Sequence, residues 1–371
     1  KLMRKVTGIE FGIVRILMLL SIWFNGAIMY RNPFKAFRAT KKMLSLFTKA
    51  SRGHQVNQAF YLQGNYAWDM FNPPWPSTAY RRFYNTQLRE YEPIASNNVV
   101  LRRILIALTK KCPLRCEHCS EWDTLNEKDQ MTLKQYEDYL DSFVEGGAAQ
   151  LVYSGGEPLN RYKDLLSLIE RYRKTCNQWI YTSGYNLTEK KAQELAKAGL
   201  NGVSVSLDHH SEEFHNLFRG NEKSYDWVKK SIENCKKAGL LVSINTCVTK
   251  EYLKADGVTE IVKLAEQWEV PIVNILEPRA VGHFANKDVE YSIAEKQKVE
   301  KQVLDFGKQV HANSPTVLYP AMLRSAMPCG GGRSYLLLDS DGTLRPCPFC
   351  KTPIDMSSTE VQSCEADLQL A

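Results

Sequence analysis

Short apolar runs alternate with helix-period stretches through the middle of the chain. Strand-like runs rich in β-branched and aromatic residues fall at 104–108, 151–153, 179–182, 203–207, 241–246 and 272–276. Between them, at 132–145, 161–174, 188–198, 224–238 and 257–268, apolar residues recur every three or four positions. Short strands alternating with amphipathic helices predict parallel β/α units, an α/β fold. Six strands predict a partial (β/α)6 barrel of TIM type, two units short of a closed eight. Gly199 and Gly239 stand where a helix gives way to the next strand, as C-terminal caps do.

Both flanks break this rhythm. Residues 16–30 read ILMLLSIWFNGAIMY, an apolar run of about 15 residues where a bilayer core needs roughly 20. Arg15 and Glu10 interrupt its upstream extension. Downstream, Arg31, Lys35, Arg38, Lys41, Lys42, Lys49 and Arg52 interleave with Phe34, Phe37, Met43, Leu44, Leu46 and Phe47. Two readings stand: an interfacial helix on an anionic leaflet, or a helix packed on the body with its basic face solvated. No small-residue cleavage site follows the run, which argues against a cleaved signal peptide. The first residue is Lys, so a preceding start is expected. Residues 54–100 are rich in aromatics and turn formers, and Asn72-Pro73-Pro74-Trp75-Pro76-Ser77 excludes a regular helix there. A linker or wrapping segment is expected. Near the C-terminus, residues 336–344 read as strand, Asp-Gly turn, strand. The predicted division is an N-terminal helical arm (1–53), the linker (54–100), the partial barrel (101–313) and a small cysteine-rich β-hairpin domain (314–371).

Composition changes the picture in one respect. The 371 residues are 44% hydrophobic and 24% charged, enough for a real core. A mean hydropathy of −0.36 excludes a polytopic membrane protein. The net charge of +7 suggests a nucleic-acid or anionic-membrane partner. However, residues 1–53 hold 11 basic side chains and one acid, a net of +10, and the rest hold 37 basic and 40 acidic, a net of −3. The excess positive charge belongs to the arm, so no nucleic-acid partner is expected for the body.

The chain has ten cysteines, and without a secretory signal a disulfide framework does not suit a chain of this size. Cys112, Cys116 and Cys119 follow the first barrel strand in a Cys-x3-Cys-x2-Cys spacing. Loops at that end of a β/α strand face the active site. Three thiolates can take three corners of a cubane cluster and leave the fourth iron open to a small molecule, whereas four would close the site. The alternatives are a zinc knuckle with His118 as fourth ligand, or three buried thiols. After the second strand comes Tyr153-Ser154-Gly155-Gly156-Glu157-Pro158. Its paired glycines allow close approach to the backbone, and Glu157 offers a carboxylate suited to an ammonium group.

In these motifs, and in their order over about residues 101–350, the chain resembles the radical S-adenosylmethionine (radical SAM) superfamily. The resemblance implies that Cys112, Cys116 and Cys119 hold a 4Fe-4S cluster and that His118 lies near the adenine of S-adenosylmethionine. It implies that Gly155, Gly156 and Glu157 bind the amino group. Thr182-Ser183-Gly184 stands where many relatives have Thr-Asn-Gly, which makes Ser183 a cofactor contact. Ser206-Leu207-Asp208, His215 and Arg219-Gly220 are similar to the family's Ser-Leu-Asp…His…Arg-Gly segment, one residue longer here. Ser206, Asp208 and Arg219 are thereby expected at the ribose or carboxylate. Ordinary capping of the following helix is the alternative for this segment. Asn245 and Glu277, at the ends of the fifth and sixth strands, are weaker candidates.

The tail extends the resemblance. Cys329, Gly342 and Cys347 form Cys-x12-Gly-x4-Cys, similar to the entry of SPASM and twitch extensions, which hold auxiliary 4Fe-4S clusters. Cys350 and Cys364 complete a candidate set of four; a zinc ribbon would use the same four. Cys176, Cys235 and Cys247 fit no pattern and are expected as buried small hydrophobes.

The implied activity is reductive cleavage of S-adenosylmethionine to a 5′-deoxyadenosyl radical that abstracts hydrogen from a substrate. An electron donor such as flavodoxin or ferredoxin is implied, and the expected substrate is a peptide or protein undergoing maturation. A lipid or membrane-linked small molecule is the alternative substrate, and a non-catalytic iron–sulfur or zinc scaffold the alternative function. The expected location is the cytoplasm, with the arm at the cytoplasmic face of a membrane.

Overall fold

A computed structural model of the chain describes residues 3–51, 56–94, 100–325 and 329–354. The N-terminal part runs β1 (Arg4–Val6), α1 (Gly8–Tyr30), α2 (Pro33–Ala50), β2 (Ala59–Leu62), β3 (Asn65–Ala67) and α3 (Thr78–Tyr91). The three strands form a small antiparallel sheet in the order β1-β2-β3. α1 is longer than the apolar run foretold. It begins at Gly8 and absorbs Glu10 and Arg15, with Glu10 held by Arg4 at 2.6 Å. Its 23 residues make it about 34 Å long, enough by length and composition to cross a membrane. Asn32 starts α2 by accepting from Phe34 N and Lys35 N at 3.0 Å, with Pro33 in the first turn. α1 and α2 pack closely at Gly26, where a Cβ would stand 3.3 Å from Ala36 Cβ and 2.7 Å from Leu88 Cδ1 of α3.

The body follows as β4 (Arg103–Ala107), α4 (Leu133–Gly146), β5 (Gln150–Ser154), α5 (Tyr162–Tyr172), β6 (Asn177–Thr182), α6 (Glu189–Ala198), β7 (Gly202–Ser206), α7 (Glu212–Arg219), α8 (Ser224–Ala238) and β8 (Leu241–Cys247). It continues with α9 (Lys250–Lys254), α10 (Gly257–Gln267), β9 (Ile272–Leu276), α11 (Ile293–Lys308), β10 (Thr316–Leu318), β11 (Tyr335–Leu338) and β12 (Leu344–Arg345). Strands β4 to β9 pair in parallel, in sequence order, as the alternating pattern foretold. Gly199 and Gly239 end α6 and α8 in left-handed conformations at φ 111° and 72°.

Three strands extend the sheet to nine. β10, which the periodicity does not predict, joins β9 in parallel at one edge; at the other, β11 and β12, the two strands of the predicted hairpin, follow β4, with β11 parallel to β4, Tyr335 opposite Arg103. The hairpin read as a separate small domain is therefore continuous with the barrel sheet. Residues 56–94, read as linker or wrapping segment, supply β2, β3 and α3. Phe60 and Met70 pack against Val152, Trp179, Leu241 and Ile272 of the barrel strands. Gln150 Nε2 donates to Met70 O at 2.8 Å and Arg103 Nη2 to Phe71 O at 2.5 Å, so buried polar groups of the first strands are satisfied by this segment.

Candidate active site

Thr109 and Asp129 shape the loop that leaves β4. Thr109 Oγ1 donates to Asp129 Oδ2 at 2.7 Å, and Lys110 N donates to Asp129 Oδ1 at 2.8 Å. Further on, Cys112 N donates to Asn126 Oδ1 at 2.8 Å. Cys112, Cys116 and Cys119 share this loop and each other's electrostatic surroundings: the Cys116 and Cys119 thiols act on Cys112, and Cys116 acts on Cys119. Burial, the leading cause, pushes the Cys112 thiol up to about 12 and Cys119 up to about 11, and raises Cys116 too. Among the described residues, no three His, Cys, Asp or Glu side chains meet around a position for one metal ion. A cubane takes each thiolate at a separate corner and makes no such demand.

The paired glycines do something the sequence did not show. Gly156 N donates to Thr109 O at 2.6 Å, and Glu157 N to Lys111 O at 2.8 Å. A Cβ on Gly155 would stand 2.4 Å from Thr109 O, and one on Gly156 2.5 Å from Lys111 O. The backbone that approaches them is that of the cysteine loop itself. Glu157 is buried and turned toward the next loop. Its Oε1 accepts from Thr182 Oγ1 at 2.7 Å and Leu159 N at 3.3 Å, and its Oε2 from Ser183 Oγ at 2.6 Å and Ser183 N at 2.9 Å. Burial raises the carboxyl and these bonds oppose the rise. A carboxylate offers about four acceptor sites, and this chain fills them. Glu157 thus ties the loops after β5 and β6 together in the structure, and Ser183 is its partner.

Asp208 and Arg219 form a buried ion pair, Nη2 to Oδ2 at 2.5 Å. Arg219 Nη1 also lies 3.6 Å from Cys116 Sγ, so the pair ends at the cysteine loop. Cys247 N donates to Asp208 Oδ1 at 2.9 Å. Burial acts to raise the Asp208 carboxyl, but the charge of Arg219 and the nearby imidazoles hold it below the usual range. The last turn of α7 is bonded to the same loop: Arg115 N donates to Arg219 O at 3.2 Å and Glu117 N to Phe218 O at 3.0 Å. His118 stacks on Phe218 with centroids 5.0 Å apart, and burial lowers its imidazole to about 4. Ser206 stands at the end of β7 opposite Asn245.

His283 was not foreseen. Its N–H donates to Cys119 O at 3.0 Å, its Nδ1 lies 3.3 Å from Cys116 O, and its ring stacks on Trp122 with centroids 3.8 Å apart. Gly282 permits the contact, since a Cβ there would stand 2.2 Å from Cys119 O. That glycine was the one sequence signal, and no motif frames it.

In the tail, Cys347 and Cys350 are buried and pack with Cys329, Tyr335 and Phe349. The hairpin base brings these three cysteines into one neighbourhood, while Cys364 lies outside the described residues. Lys351 Nζ pairs with Glu121 Oε1 at 2.7 Å and Arg345 Nη1 with Glu121 Oε2 at 3.5 Å. Glu121 is two residues past Cys119, so the tail is tied to the cysteine loop.

Three thiols on one strand-end loop suit an iron–sulfur cluster. Buried polar atoms without a partner, His118 Nδ1 and Arg219 Nε, stand ready for a polar small molecule beside it. Comparison with known proteins agrees: residues 106–264 match the Radical SAM superfamily. These residues are a radical SAM domain. Radical SAM domains use a 4Fe-4S cluster and S-adenosylmethionine. The AdoMet-dependent heme synthase of Oleidesulfovibrio alaskensis is 26% identical over 274 residues, 67% of this chain and 70% of its own. Streptococcus suis SuiB bound to S-adenosylmethionine superposes with a TM-score of 0.58 at 19% identity, over 71% of this chain and 64% of that one, under two thirds of its length. SuiB bound to its precursor peptide SuiA gives 0.60 at 18% identity, over 88% of this chain and 76% of that one. The protein anSMEcpe, with bound AdoMet and Cp18Cys peptide, gives 0.52 at 18% identity, over 68% and 75%. At these identities the solved structures show the fold. A domain of a catalytic family supports an enzyme over the scaffold alternative.

Proposed function

We propose that this radical SAM enzyme modifies a peptide or protein by hydrogen abstraction. The observation that carries the reading is exposed apolar surface on the helix bonded to the cysteine loop. Phe214 and Leu217 on α7 are exposed, Leu217 at 70%, although α7 itself is bonded to that loop. Exposed apolar surface suits the side chains of an extended chain better than it suits a small polar metabolite. The peptides named with SuiB and anSMEcpe support the same substrate class.

Cys112, Cys116 and Cys119 are the proposed cluster ligands. With S-adenosylmethionine, a bound cluster supplies one-electron cleavage of a carbon–sulfur bond and a 5′-deoxyadenosyl radical. The chain's own residues position and shield. Arg219 Nε and His118 Nδ1 face the cofactor, Ser206 and Asp208 frame the same edge, and Glu157 fixes Ser183 and the glycine loop. Phe218 and the stacked Trp122 and His283 cover the cysteine backbone and exclude water. Cys329, Cys347 and Cys350 are the proposed ligands of an auxiliary 4Fe-4S cluster, with Cys364 as the fourth. A flavodoxin or ferredoxin is the proposed electron donor.

Anaerobic reconstitution tests this reading. About eight irons per chain are expected for two 4Fe-4S clusters and about four for one. With dithionite and S-adenosylmethionine, 5′-deoxyadenosine is expected, and the yield should rise with small peptides encoded near the gene. A rise with lipid extracts and none with peptides would assign the alternative substrate class.

One further feature supports a location at the cytoplasmic face of a membrane. Along α1, Ile9, Ile13, Ile16, Leu20, Phe24 and Ile28 are exposed, Ile9 at 85% and Ile28 at 63%, and Phe34 and Phe37 of α2 continue the surface. Exposed basic side chains of α2, such as Arg38, Lys41 and Lys42, lie on the same arm. Apolar residues flanked by cations describe an interfacial anchor. The full chain is expected to co-sediment with anionic vesicles, and Ile16→Glu/Phe24→Glu to reduce this at least about tenfold. Equal sedimentation of the two proteins would remove the membrane reading.

A further inference from the structure

A second polar site lies far along the fold from the cysteine loop. On α3, Arg82, Asn85, Thr86 and Arg89 recur at intervals of three, one and three residues and so share one helix face. The other face, with Tyr80, Phe83, Tyr84 and Leu88, is packed in the N-terminal core. The polar face lines an open pocket of about 300 Å³, closed at one side by Met29 near the end of α1 and at another by the last turn of α4 with Glu145.

Two donors and one acceptor of the residues lining the pocket lack partners. Arg82 Nη2 donates to Val144 O and, at 3.3 Å, to Ala148 O, which caps the end of α4. Arg89 Nη2 donates to Thr86 Oγ1 at 2.9 Å. Beyond these bonds, Arg82 Nε, Arg89 Nε and Asn85 Oδ1 are buried polar atoms without a partner. No described carboxylate forms an ion pair with either guanidinium; Glu145 lines the pocket as an exposed residue. Burial disfavours the Arg89 cation; the nearby Tyr30 opposes this and the charge of Arg82 adds to it. Gly147 leaves room beside it, since a Cβ there would stand 2.8 Å from Thr86 Oγ1 and 3.0 Å from Arg89 Nη2.

We propose that Arg82 and Arg89 form a binding site for a phosphate group, carried either by free phosphate or by a lipid headgroup. Two guanidinium forks reaching one pocket from positions two turns apart on one helix face offer donors to more than two oxygens, which suits phosphate over carboxylate. Unpaired buried donors cost stability until an acceptor arrives, and a phosphate answers both orphaned Nε groups while balancing two like charges. The site depends on neither the radical chemistry nor the apolar face of α1, although Met29 places it next to that helix.

The test uses the full chain, inorganic phosphate, and phosphatidylcholine vesicles with and without phosphatidic acid. Saturable phosphate binding by calorimetry is expected, weakened by Arg89→Gln roughly tenfold or more, the worth of a charge-assisted bond. Arg89 is the residue to change, because Arg82 also caps α4. Glu145→Gln, at an exposed position, is expected to tighten binding a few-fold by removing a like charge. If free phosphate does not bind but phosphatidic-acid vesicles lose affinity in Arg89→Gln, the source is a headgroup and the site stands. Loss against neutral vesicles as well would assign Arg89 to packing of the arm and overturn the site. If neither ligand distinguishes Arg89→Gln or Glu145→Gln from the parent, the pocket holds only water and the proposal is wrong.

Discussion

Cys116→Ser is expected to abolish 5′-deoxyadenosine formation, by at least about a hundredfold, or roughly 2.7 kcal/mol of barrier. Cys116 is the most buried of the three loop thiols and the one Arg219 touches. Cys176→Ser is the control. Cys176 is equally buried, but its thiol faces Ala148 O in the barrel wall, so activity should persist with a modest loss of stability. The same chemistry sets a pH dependence for loading. The half-buried thiols of Cys112 and Cys119, pushed up to about 12 and about 11, are protonated in the iron-free chain at neutral pH. Iron binds thiolates, so loading releases protons and should become more favourable as pH rises from about 6 to about 8. Iron per chain and the visible absorption of the reconstituted protein, measured across that range, check both the mutant and the trend. A flat profile would mean that the thiols ionise more readily than their burial implies.

Arg219→Ala should be the most destabilising single change at the site. It strands the buried Asp208 carboxylate, and breaking a buried pair from one side costs about 3–5 kcal/mol. Asp208→Asn/Arg219→Leu together should cost less than Arg219→Ala alone, since no lone charge remains. Denaturant unfolding of the iron-free chain reads this difference. The sign with pH follows from the direction of the shift. The Asp208 carboxyl is held below its unfolded value, so its contribution is full at neutral pH and fades as pH falls through the folded value. The parent should therefore lose more stability toward acid than the double variant. Equal acid sensitivity would mean that Asp208 is not the group responsible.

Much of the barrel was legible because its signals are local. The stretch at 224–238 coincides with α8, and the glycines at 199 and 239 cap α6 and α8 in left-handed conformations. Strand boundaries moved by one or two residues: 203–207 became Gly202–Ser206, and 179–182 became Asn177–Thr182. Polar Asn177 and Gln178 hid the start of β6, because their side chains are buried in hydrogen bonds that no periodicity displays. β10 has only three residues, too few to show a period, and the first strand of the hairpin, β11, finds its partner, β4, more than 200 residues earlier. Pairing over that separation leaves no local pattern.

At the site the division is the same. The spacing of Cys112, Cys116 and Cys119 and the order of the strand-end motifs specified a radical SAM domain, because ligand spacing on one loop is a local property of the chain. The sequence also separated a +10 arm from a −3 body. Only the tertiary structure decided where Glu157 points, that Arg219 joins Asp208 to the cysteine loop, that His283 covers that loop, and that Arg82 and Arg89 line one pocket. Each of these depends on side chains from distant segments meeting in a space where burial strengthens hydrogen bonds and charge pairing. Burial is set by how the elements pack, and the residue types alone do not carry it.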